Sequence, residues 1–217
     1  MVCAAIIISL SLSCKKDRNN NNNNNPDTDI TGPDITFFAL TTDSRLLTLN
    51  AKNASSVVAT ANITGLQTGE TLLGIDFRPA TGQLYGIGNT SRIYIIDTKT
   101  GAARMVGSTP FTPALTTTAK TAGFDFNPTV DRIRYVGSDG QNLRFNPETG
   151  TVAATDGVIN GATNASVGAV AYTQNRAGAA ATVLFDIDCI MSLRNSFAKS
   201  LSCTITLASR ASNKLNG

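Results

Sequence analysis

The sequence predicts an all-β protein made of β-propeller-like repeats, each of four short antiparallel strands. Short alternating runs of apolar and polar residues, separated by Gly, Pro, Asn and Asp, fill residues 36–187, a pattern typical of strands joined by tight turns. Motifs within them recur after 47–49 residues, a length typical of one propeller blade. No part of this stretch has the period of about 3.6 residues that marks an amphipathic helix.

Thirteen segments have the length and the alternation of a strand. They are residues 36–41, 45–50, 57–62, 72–77, 83–88, 92–97, 102–107, 123–127, 132–136, 142–146, 151–155, 167–172 and 182–187.

The clearest repeat is Gly-Ile-Asp-Phe-Arg-Pro at residues 74–79, which returns as Gly-Phe-Asp-Phe-Asn-Pro at residues 123–128. The Thr-Gly pairs at 100–101 and 149–150 are separated by the same 49 residues. One four-stranded sheet cannot cover both of its own faces, so such repeats bury them by stacking side by side. A shorter echo, offset by 47 residues, relates Ser44-Arg45-Leu46 to Ser91-Arg92-Ile93.

Each copy of the repeat also predicts where its strands end. We expect Phe77 and Phe126 on the buried face of innermost strands. Pro79 and Pro128 should end those strands, because Pro cannot donate to a β ladder. In the Thr-Gly turns we expect Gly to supply a positive φ.

The sequence contains fewer repeats than a closed propeller needs, since a closed ring requires about four blades or more. The upstream echo supplies strands two to four of one blade, residues 72–107 and 122–155 supply two full blades, and residues 167–187 begin another. Residues 189–217 then lack acidic residues altogether. We therefore expect an incomplete propeller at 36–188. The atypical tail predicts a truncated or altered reading frame or, alternatively, a short basic amphipathic helix containing Ile190, Leu193, Phe197 and Leu201.

The amino-terminal residues are predicted to be an export signal and a tether. Residues 2–13 form an apolar run that is too short for a membrane span of about 20 residues but typical of a signal peptide. The run ends in Leu-Ser-Cys, which resembles a bacterial lipobox and implies lipidation of Cys14 after removal of the signal. A buried strand with an incidental Cys is the alternative. Residues 15–35, with seven consecutive Asn at 19–25, should form a disordered tether.

Charge and composition exclude several classes of function. The two ends carry +4 (residues 189–217) and +2 (residues 15–18) of a net charge of +3, which leaves −3 for the rest of the chain. No nucleic-acid partner is expected, because the body lacks a basic surface. The sequence has no His, which removes the commonest general base and excludes a Ser-His-Asp triad. We expect no cofactor.

Asp76 and Asp125 are the strongest chemical candidates, since each lies between two apolar residues on a predicted innermost strand. A pair of carboxylates at the channel could bind a divalent cation or act in hydrolysis. Alternatively, each Asp could accept backbone N–H groups from the next blade, because buried polar groups need partners. The second interpretation is favoured, so no metal site is predicted, with Asp76 and Asp125 kept as the candidates.

Three further groups of residues are weaker candidates for a functional site. Asp131, Arg132 and Arg134 could form a binding patch, although strand alternation splits them and favours a surface ion pair. Asp139-Gly140 indicates a hairpin turn rather than a calcium loop. Cys189 and Cys203 could form a disulfide outside the cytoplasm, without further support from the sequence.

Several stretches resemble a bacterial family known as domain of unknown function 4394. They include Gly-Glu-Thr-Leu-Leu-Gly-Ile-Asp-Phe-Arg-Pro at 69–79 and Gly-Gln-Asn-Leu-Arg-Phe-Asn-Pro-Glu-Thr-Gly at 140–150, and the resemblance covers roughly residues 36–188. It implies an extracytoplasmic, propeller-like domain with no established activity and no catalytic residue to transfer. It also implies further strands after Asp188, one of which completes the first blade.

These observations together predict a lipid-anchored binding or scaffolding module of the bacterial cell envelope, with an unknown protein or carbohydrate ligand. Lys15 after the lipidated Cys favours the outer membrane. The alternative is a propeller hydrolase or lyase that uses a divalent cation held by Asp76 and Asp125.

Overall fold

The computed structural model describes residues 32–119, 121–159, 165–190 and 202–208 of the chain. All regular secondary structure in these ranges is β-strand, and no helix there is long and apolar enough to cross a membrane. The predicted signal peptide, Cys14 and the Asn-rich tether lie outside the described residues, as does most of the tail.

Fourteen strands make up the part of the chain that the structure describes. They are β1 (Thr36–Leu40), β2 (Arg45–Asn50), β3 (Asn53–Asn62), β4 (Leu72–Phe77), β5 (Leu84–Gly88), β6 (Arg92–Ile96), β7 (Ala103–Val106), β8 (Ala122–Asn127), β9 (Arg132–Gly137), β10 (Asn142–Phe145), β11 (Val152–Thr155), β12 (Val167–Tyr172), β13 (Leu184–Ile190) and β14 (Ser202–Ala208).

The strands form four antiparallel sheets that follow one another along the chain. Their orders are β1-β2-β3, β4-β5-β6-β7, β8-β9-β10-β11 and β12-β13-β14. The two central sheets are the complete four-stranded repeats that the sequence predicts. Strands β1, β4, β8 and β12 contact one another in that order, and the series does not close on itself within the described residues. The all-β, propeller-like architecture is therefore confirmed, and the strands that the structure describes do not close a ring.

The ends of the strands follow the predicted turn chemistry. Strands β4 and β8 end at Phe77 and Asn127, just before the two prolines. Gly101 and Gly150 have φ values of 75° and 68°, a region of the backbone that favours Gly. Asp97 fixes the first of these turns, because its Oδ1 accepts the N–H of Lys99 at 2.9 Å and of Thr100 at 2.8 Å.

Apolar side chains fill the spaces between neighbouring sheets, as expected for stacked repeats. Between the second and third sheets, the ring of Tyr85 packs edge-on against Phe126, with centroids 5.2 Å apart. Further buried members of this cluster are Ile87, Ile93, Phe111, Phe124, Ile133, Tyr135, Leu143 and Phe145. Leu46, Leu72, Leu84, Tyr94 and Ile96 form a second cluster, and Val136, Val167 and Val170 form a third.

Four details differ from the predictions. Strand β3 begins at Asn53, four residues before the predicted start, and β13 extends past Asp188 to Ile190. Residues 202–208 form a strand that was not predicted; it pairs with β13 in a register that sets Cys189 opposite Cys203. Phe77 is only half-buried, whereas its repeat equivalent Phe126 is fully buried. The geometry beside β1 explains this last difference.

Candidate functional site

Asp76 and Asp125 lie in the middle of β4 and β8, the adjacent inner strands of the two complete sheets. Both are half-buried, and their side chains hydrogen-bond to each other. These are the two candidates that the repeated motif predicts, and the structure brings them together as an acidic pair on the inner strands of neighbouring sheets.

Each carboxylate also holds the backbone of the next inner strand. The N–H of Phe126 donates to Asp76 Oδ2 at 2.8 Å, and the N–H of Tyr172 donates to Asp125 Oδ2 at 2.7 Å. A strand at the inner edge of a sheet has unpaired backbone groups, and a buried N–H without an acceptor is costly. These contacts provide the structural role that the sequence analysis favoured for the two residues.

Both carboxyl groups of the acidic pair have a raised pKa. Burial raises the pKa of Asp125 to about 8, and the charge of Asp76 contributes to the rise against the hydrogen bond from Tyr172. Burial also raises the pKa of Asp76, although N–H bonds from Phe126 and Phe77 oppose it. Two adjacent carboxyl groups of this kind share a proton. In chemical terms the pair can donate or accept a proton, but most of its oxygens already have partners.

The described residues offer little additional support for a metal at this position. Nowhere in the described ranges do three or more His, Cys, Asp or Glu residues converge as a metal site would require. Hard divalent cations such as calcium take six to eight oxygen ligands, from about three or more groups in most sites. Asp76 and Asp125 by themselves are a carboxyl pair rather than a complete ligand set.

A glycine two residues before each Asp allows the inner strands to approach. A Cβ on Gly74 would lie 2.8 Å from Phe124 Cβ, and a Cβ on Gly123 would lie 2.6 Å from the backbone N of Val170. Real Cβ atoms do not come so close to their neighbours. The repeated Gly-apolar-Asp-Phe motif is therefore a junction motif: Gly permits close approach, Asp accepts the next strand's N–H, and Phe fills the space between sheets.

The junction between the first and second sheets has a different construction. Within the described residues no strand lies on the inner side of β1, and a cavity of about 250 Å³ is found there. It is lined by Thr36, Phe37 and Phe38 of β1, by residues 75–77 of β4 and by Leu84 of β5. This cavity, which we call the β1 cleft, is mainly apolar, and Asp76 supplies its carboxylate.

The backbone identifies which strand of the first repeat has no counterpart among the described residues. Ser44 and Ser91 both have positive φ, 56° and 66°, in the turns that precede β2 and β6. Strand β2 is therefore the third strand of its repeat and β1 is the second. This confirms the prediction that the upstream repeat contains strands two to four. Leu84 and Ile133, at the position equivalent to Phe37, are 2% and 0% exposed, whereas Phe37 is 38% exposed.

Two polar clusters that the sequence did not reveal join the sheets elsewhere. The guanidinium of Arg78, 6% exposed, donates to Asp131 Oδ1 at 2.9 Å and lies 2.5 Å from a carboxylate oxygen of Glu148. Burial opposes the resulting rise in the Arg78 pKa, but the hydrogen bonds from its guanidinium to these acids outweigh it. Arg78 directly follows β4, and the neighbouring sequence gives no indication that its partner Asp131 lies more than 50 residues away.

Arg134 anchors the second cluster, between the third and fourth sheets. It lies 2.5 Å from Asp156 Oδ2 and donates to the hydroxyl of Tyr172 at 3.2 Å. Arg144 binds the same Asp156 at 2.7 Å, and these bonds and charges lower the pKa of Asp156 although burial opposes them. Asp131 and Arg134 thus serve different junctions. Alternation correctly separates Asp131 from Arg134, but the expected surface ion pair is not what forms: Asp131 pairs with the buried Arg78 and Arg134 pairs with Asp156.

Two other acids have distinct surroundings. Asp139 lies in the β9–β10 hairpin turn, where Gly140 has a φ of 87°, and its carboxylate accepts hydrogen bonds from Thr116 and, at 2.6 Å, from Thr118. Asp186 on β13 is 1% exposed, and neither of its carboxylate oxygens has a hydrogen-bond partner in the described part of the chain. Burial raises its pKa, against the positive charge of Arg134.

Comparisons with known proteins bear on the fold and the family. One similar solved structure is that of BamB from Moraxella catarrhalis, at 13% sequence identity and a TM-score of 0.30; the match covers 70% of this chain and 51% of that one. The chain thus spans about half the length of that structure. No curated protein matches. A family model described as a domain of unknown function, DUF4394, matches residues 45–193, so the chain belongs to the DUF4394 family.

Proposed function

We propose that the protein is a binding or scaffolding module, held by lipid at the bacterial cell envelope, and that its ligand occupies the β1 cleft. The observation that carries this proposal is the exposure of Phe37 in a cleft whose equivalents at the other junctions are filled. Aromatic and aliphatic side chains line the cleft, and Asp76 adds one acceptor. This combination of an apolar surface with a single placed polar group is typical of a binding site.

The acidic pair supports binding over catalysis. One carboxylate oxygen of Asp76 and one of Asp125 accept backbone N–H groups of the next inner strand, which gives both residues a structural role at the junctions between sheets. The absence of His from the sequence removes the commonest general base. A hydrolase or lyase that uses a cation at this pair remains the rival, and its test is given below.

Photo-crosslinking in intact cells tests the role of the cleft. A photoreactive residue at Phe37 should form a discrete adduct, because the side chain faces the cleft. The matched control is the same residue at Val58, which is 67% exposed on the outer strand β3. The same adducts from both positions, or none from Phe37, would contradict a ligand site in the cleft.

The lipid anchor is proposed from sequence alone. Cys14 follows an apolar run and precedes the Asn-rich tether, and two or three acyl chains on it would hold the domain stably. Labelled palmitate should enter the protein and be lost in Cys14→Ala, with Cys3→Ala as the control that retains label. Labelling that survives Cys14→Ala would exclude this anchor. Because Lys15 follows the Cys, we expect the labelled protein in outer-membrane fractions.

A further inference from the structure

We propose that Arg134 switches its ion-pair partner from Asp156 to Asp186 when the Asp186 carboxyl loses its proton. Asp186 lies on β13 and is 1% exposed, yet neither of its carboxylate oxygens has a hydrogen-bond partner in the described part of the chain. A buried carboxyl group without a partner is costly in either protonation state, because a proton on it also needs an acceptor. A nearby cation that can move completes the junction between the third and fourth sheets.

Asp186 faces the third sheet, where it feels the charge of Arg134. Residues two apart on a strand share a face, so Asp186 lies on the same side of β13 as Leu184, which packs against a cluster that contains Val136 of β9. Arg134 lies two residues before Val136 and shares its face of β9. The positive charge of Arg134 opposes the rise in the Asp186 pKa that burial causes. An arginine is therefore within electrostatic range of the unpaired carboxyl group.

Apolar packing occupies the same positions at the junction between the second and third sheets. The register of the strands makes Tyr85 the equivalent of Arg134, and Tyr135 the equivalent of Asp186. Both tyrosines are 1% exposed and belong to one hydrophobic cluster. The junction between the third and fourth sheets thus has opposite charges where its neighbour has two aromatic rings. A buried charge that lacks its partner is strongly destabilising, so the Asp186 carboxylate needs Arg134 once it ionises.

Asp156 can release Arg134 and still have a positive partner. The guanidinium of Arg144 binds both oxygens of Asp156, through Nε at 2.7 Å and Nη2 at 2.9 Å. Arg134 uses one nitrogen for Asp156, Nη1, and the same nitrogen donates to Asn142 Oδ1 at 2.6 Å. The Asp156 side chain is also 24% exposed, so water can replace part of the lost contact. An ion pair in the interior is stronger than one in contact with water, which favours Asp186 as the partner when both acids are ionised.

No other cation around Asp186 is as free to serve it. Arg144 is held by both oxygens of Asp156, and Arg132 donates to the backbone oxygen of Asp131 at 2.8 Å. Besides Arg134 and Asp156, the titratable or charged groups on the surrounding strands are Asp188 on β13, Tyr172 on β12, Asp125 on β8, Arg132 on β9, Arg144 on β10 and Cys203 on β14. The exchange also releases Asp156, the residue directly after β11, so the end of that strand loosens as the pH rises.

Nuclear magnetic resonance of the full chain in detergent micelles, labelled in Asp carboxyl carbons and Arg side-chain nitrogens, tests the switch from about pH 4 to about pH 9. We expect the Asp186 carboxyl to titrate above its ordinary range. In the same step, a coupling across the hydrogen bond from Arg134 to the Asp186 carboxyl carbon should appear and the coupling to Asp156 should weaken. Asp186→Asn should remove this step from the Arg134 signals. Asp125→Asn removes another buried acid at the same junction and should leave the step in place.

Three results would overturn the switch. One is an Asp186 carboxyl that shows no titration step in this range, and another is ionisation of Asp186 while the coupling of Arg134 to Asp156 stays unchanged. The third is an Arg134 step that survives Asp186→Asn in a variant with the circular dichroism of the wild type. If that variant does not fold, the couplings in the unmodified protein still decide between the two arrangements.

Discussion

Two junctions between neighbouring sheets can be compared directly. At the junction between β4 and β8, both sheets have an inner strand. At the junction beside β1, the first sheet has no inner strand among the described residues. At the first junction, the missing side chain of Gly74 leaves room for Phe124, and Asp76 accepts the Phe126 N–H. The ring of Phe126 packs edge-on against Tyr85. At the second, Phe37 and Phe77 retain solvent contact and a cavity lies between the sheets. A single inner strand therefore provides three things at a junction: a close approach to the next strand, an acceptor for that strand's N–H, and apolar side chains that exclude solvent.

Neighbouring sheets are held together by two kinds of interaction. The turns of neighbouring sheets are joined by ion pairs such as Arg78–Asp131, which links the β4–β5 turn to the β8–β9 turn, whereas the inner strands are joined by backbone-to-Asp hydrogen bonds and packing. Repeat proteins gain much of their stability from such neighbour interfaces. We therefore expect the complete junctions to dominate the free energy of unfolding, with residues 72–155 as the most stable part.

The largest expected effect is from Gly123→Val. The new side chain would begin 2.6 Å from the backbone N of Val170, and a backbone atom cannot move aside without shifting β12. Overpacking of this kind costs about 3 kcal/mol at the upper end of its usual range. Denaturant unfolding should show this loss in the free energy of unfolding.

Two control substitutions isolate the cause of that loss. Gly157→Val should change stability by less than about 0.5 kcal/mol, because an added Cβ there meets nothing within 4 Å. Ile75→Phe enlarges a residue that lines the β1 cleft and should also be tolerated. If Ile75→Phe destabilises the protein as much as Gly123→Val, the two junctions do not differ in the way the structure indicates.

Removal of an acceptor should have the next largest effect. In Asp125→Ala the Tyr172 N–H loses its partner, which costs about 2 kcal/mol if the amide stays buried. Hydrogen exchange at Tyr172 should accelerate accordingly. Asp125→Asn keeps an acceptor oxygen and should preserve slow exchange. Equal exchange rates in the Ala and Asn variants would show that the carboxylate does not hold β12.

The pH dependence of stability should be smaller and has a defined sign. The pKa of Asp125 is about 8 in the folded protein, above its ordinary value of 3.8, so the folded state keeps a proton that the unfolded chain releases. Stability should therefore fall as the pH rises from about 4 to about 8 and then level off. Asp76 and Asp186, whose pKa values are also raised, act in the same direction.

The predicted pH dependence can be tested by comparing the melting temperatures of variants at different pH values. Asp125→Asn should flatten much of the fall in melting temperature between pH 5 and 8. Asp43→Asn is the control, since the pKa of this exposed carboxyl is lowered by its bonds to Thr41 and Arg45 and its effect belongs below pH 4. A melting temperature that rises between pH 5 and 8 would have the wrong sign for a raised Asp125 pKa.

The sequence was sufficient for the elements of the fold but only partly for the site. All thirteen predicted strands are present, because alternation and turn residues are local signals. The repeat located Gly74 and Asp76, yet both interpretations of Asp76 placed it on an inner strand. Its partner, the Phe126 amide, lies 50 residues away and is a backbone group, so no side-chain pattern could separate the two interpretations.

Two other features show why local patterns were insufficient. Arg78 follows a strand directly and resembles a solvent-facing residue, and its burial depends on Asp131 in the next sheet. Strand β14 has alternating residues in Cys-Thr-Ile-Thr-Leu, which was a usable signal. The change in composition after Asp188 conflicts with that signal, because it predicts an atypical tail instead of a further strand.

The smallest effect is expected from divalent cations. A hydrolase or lyase that used Asp76 and Asp125 would bind calcium or magnesium, and a ligand at a hundredfold its Kd stabilises the folded state by about 2.7 kcal/mol. In the structure the two carboxyl groups accept the Phe126 and Tyr172 amides, and burial raises the pKa of both, so a cation would have to displace these partners. Millimolar calcium or magnesium should therefore leave the melting temperature almost unchanged. A clear rise that is lost in both Asp76→Asn and Asp125→Asn would favour the enzyme, whereas a rise that persists in both variants would place the cation elsewhere in the protein.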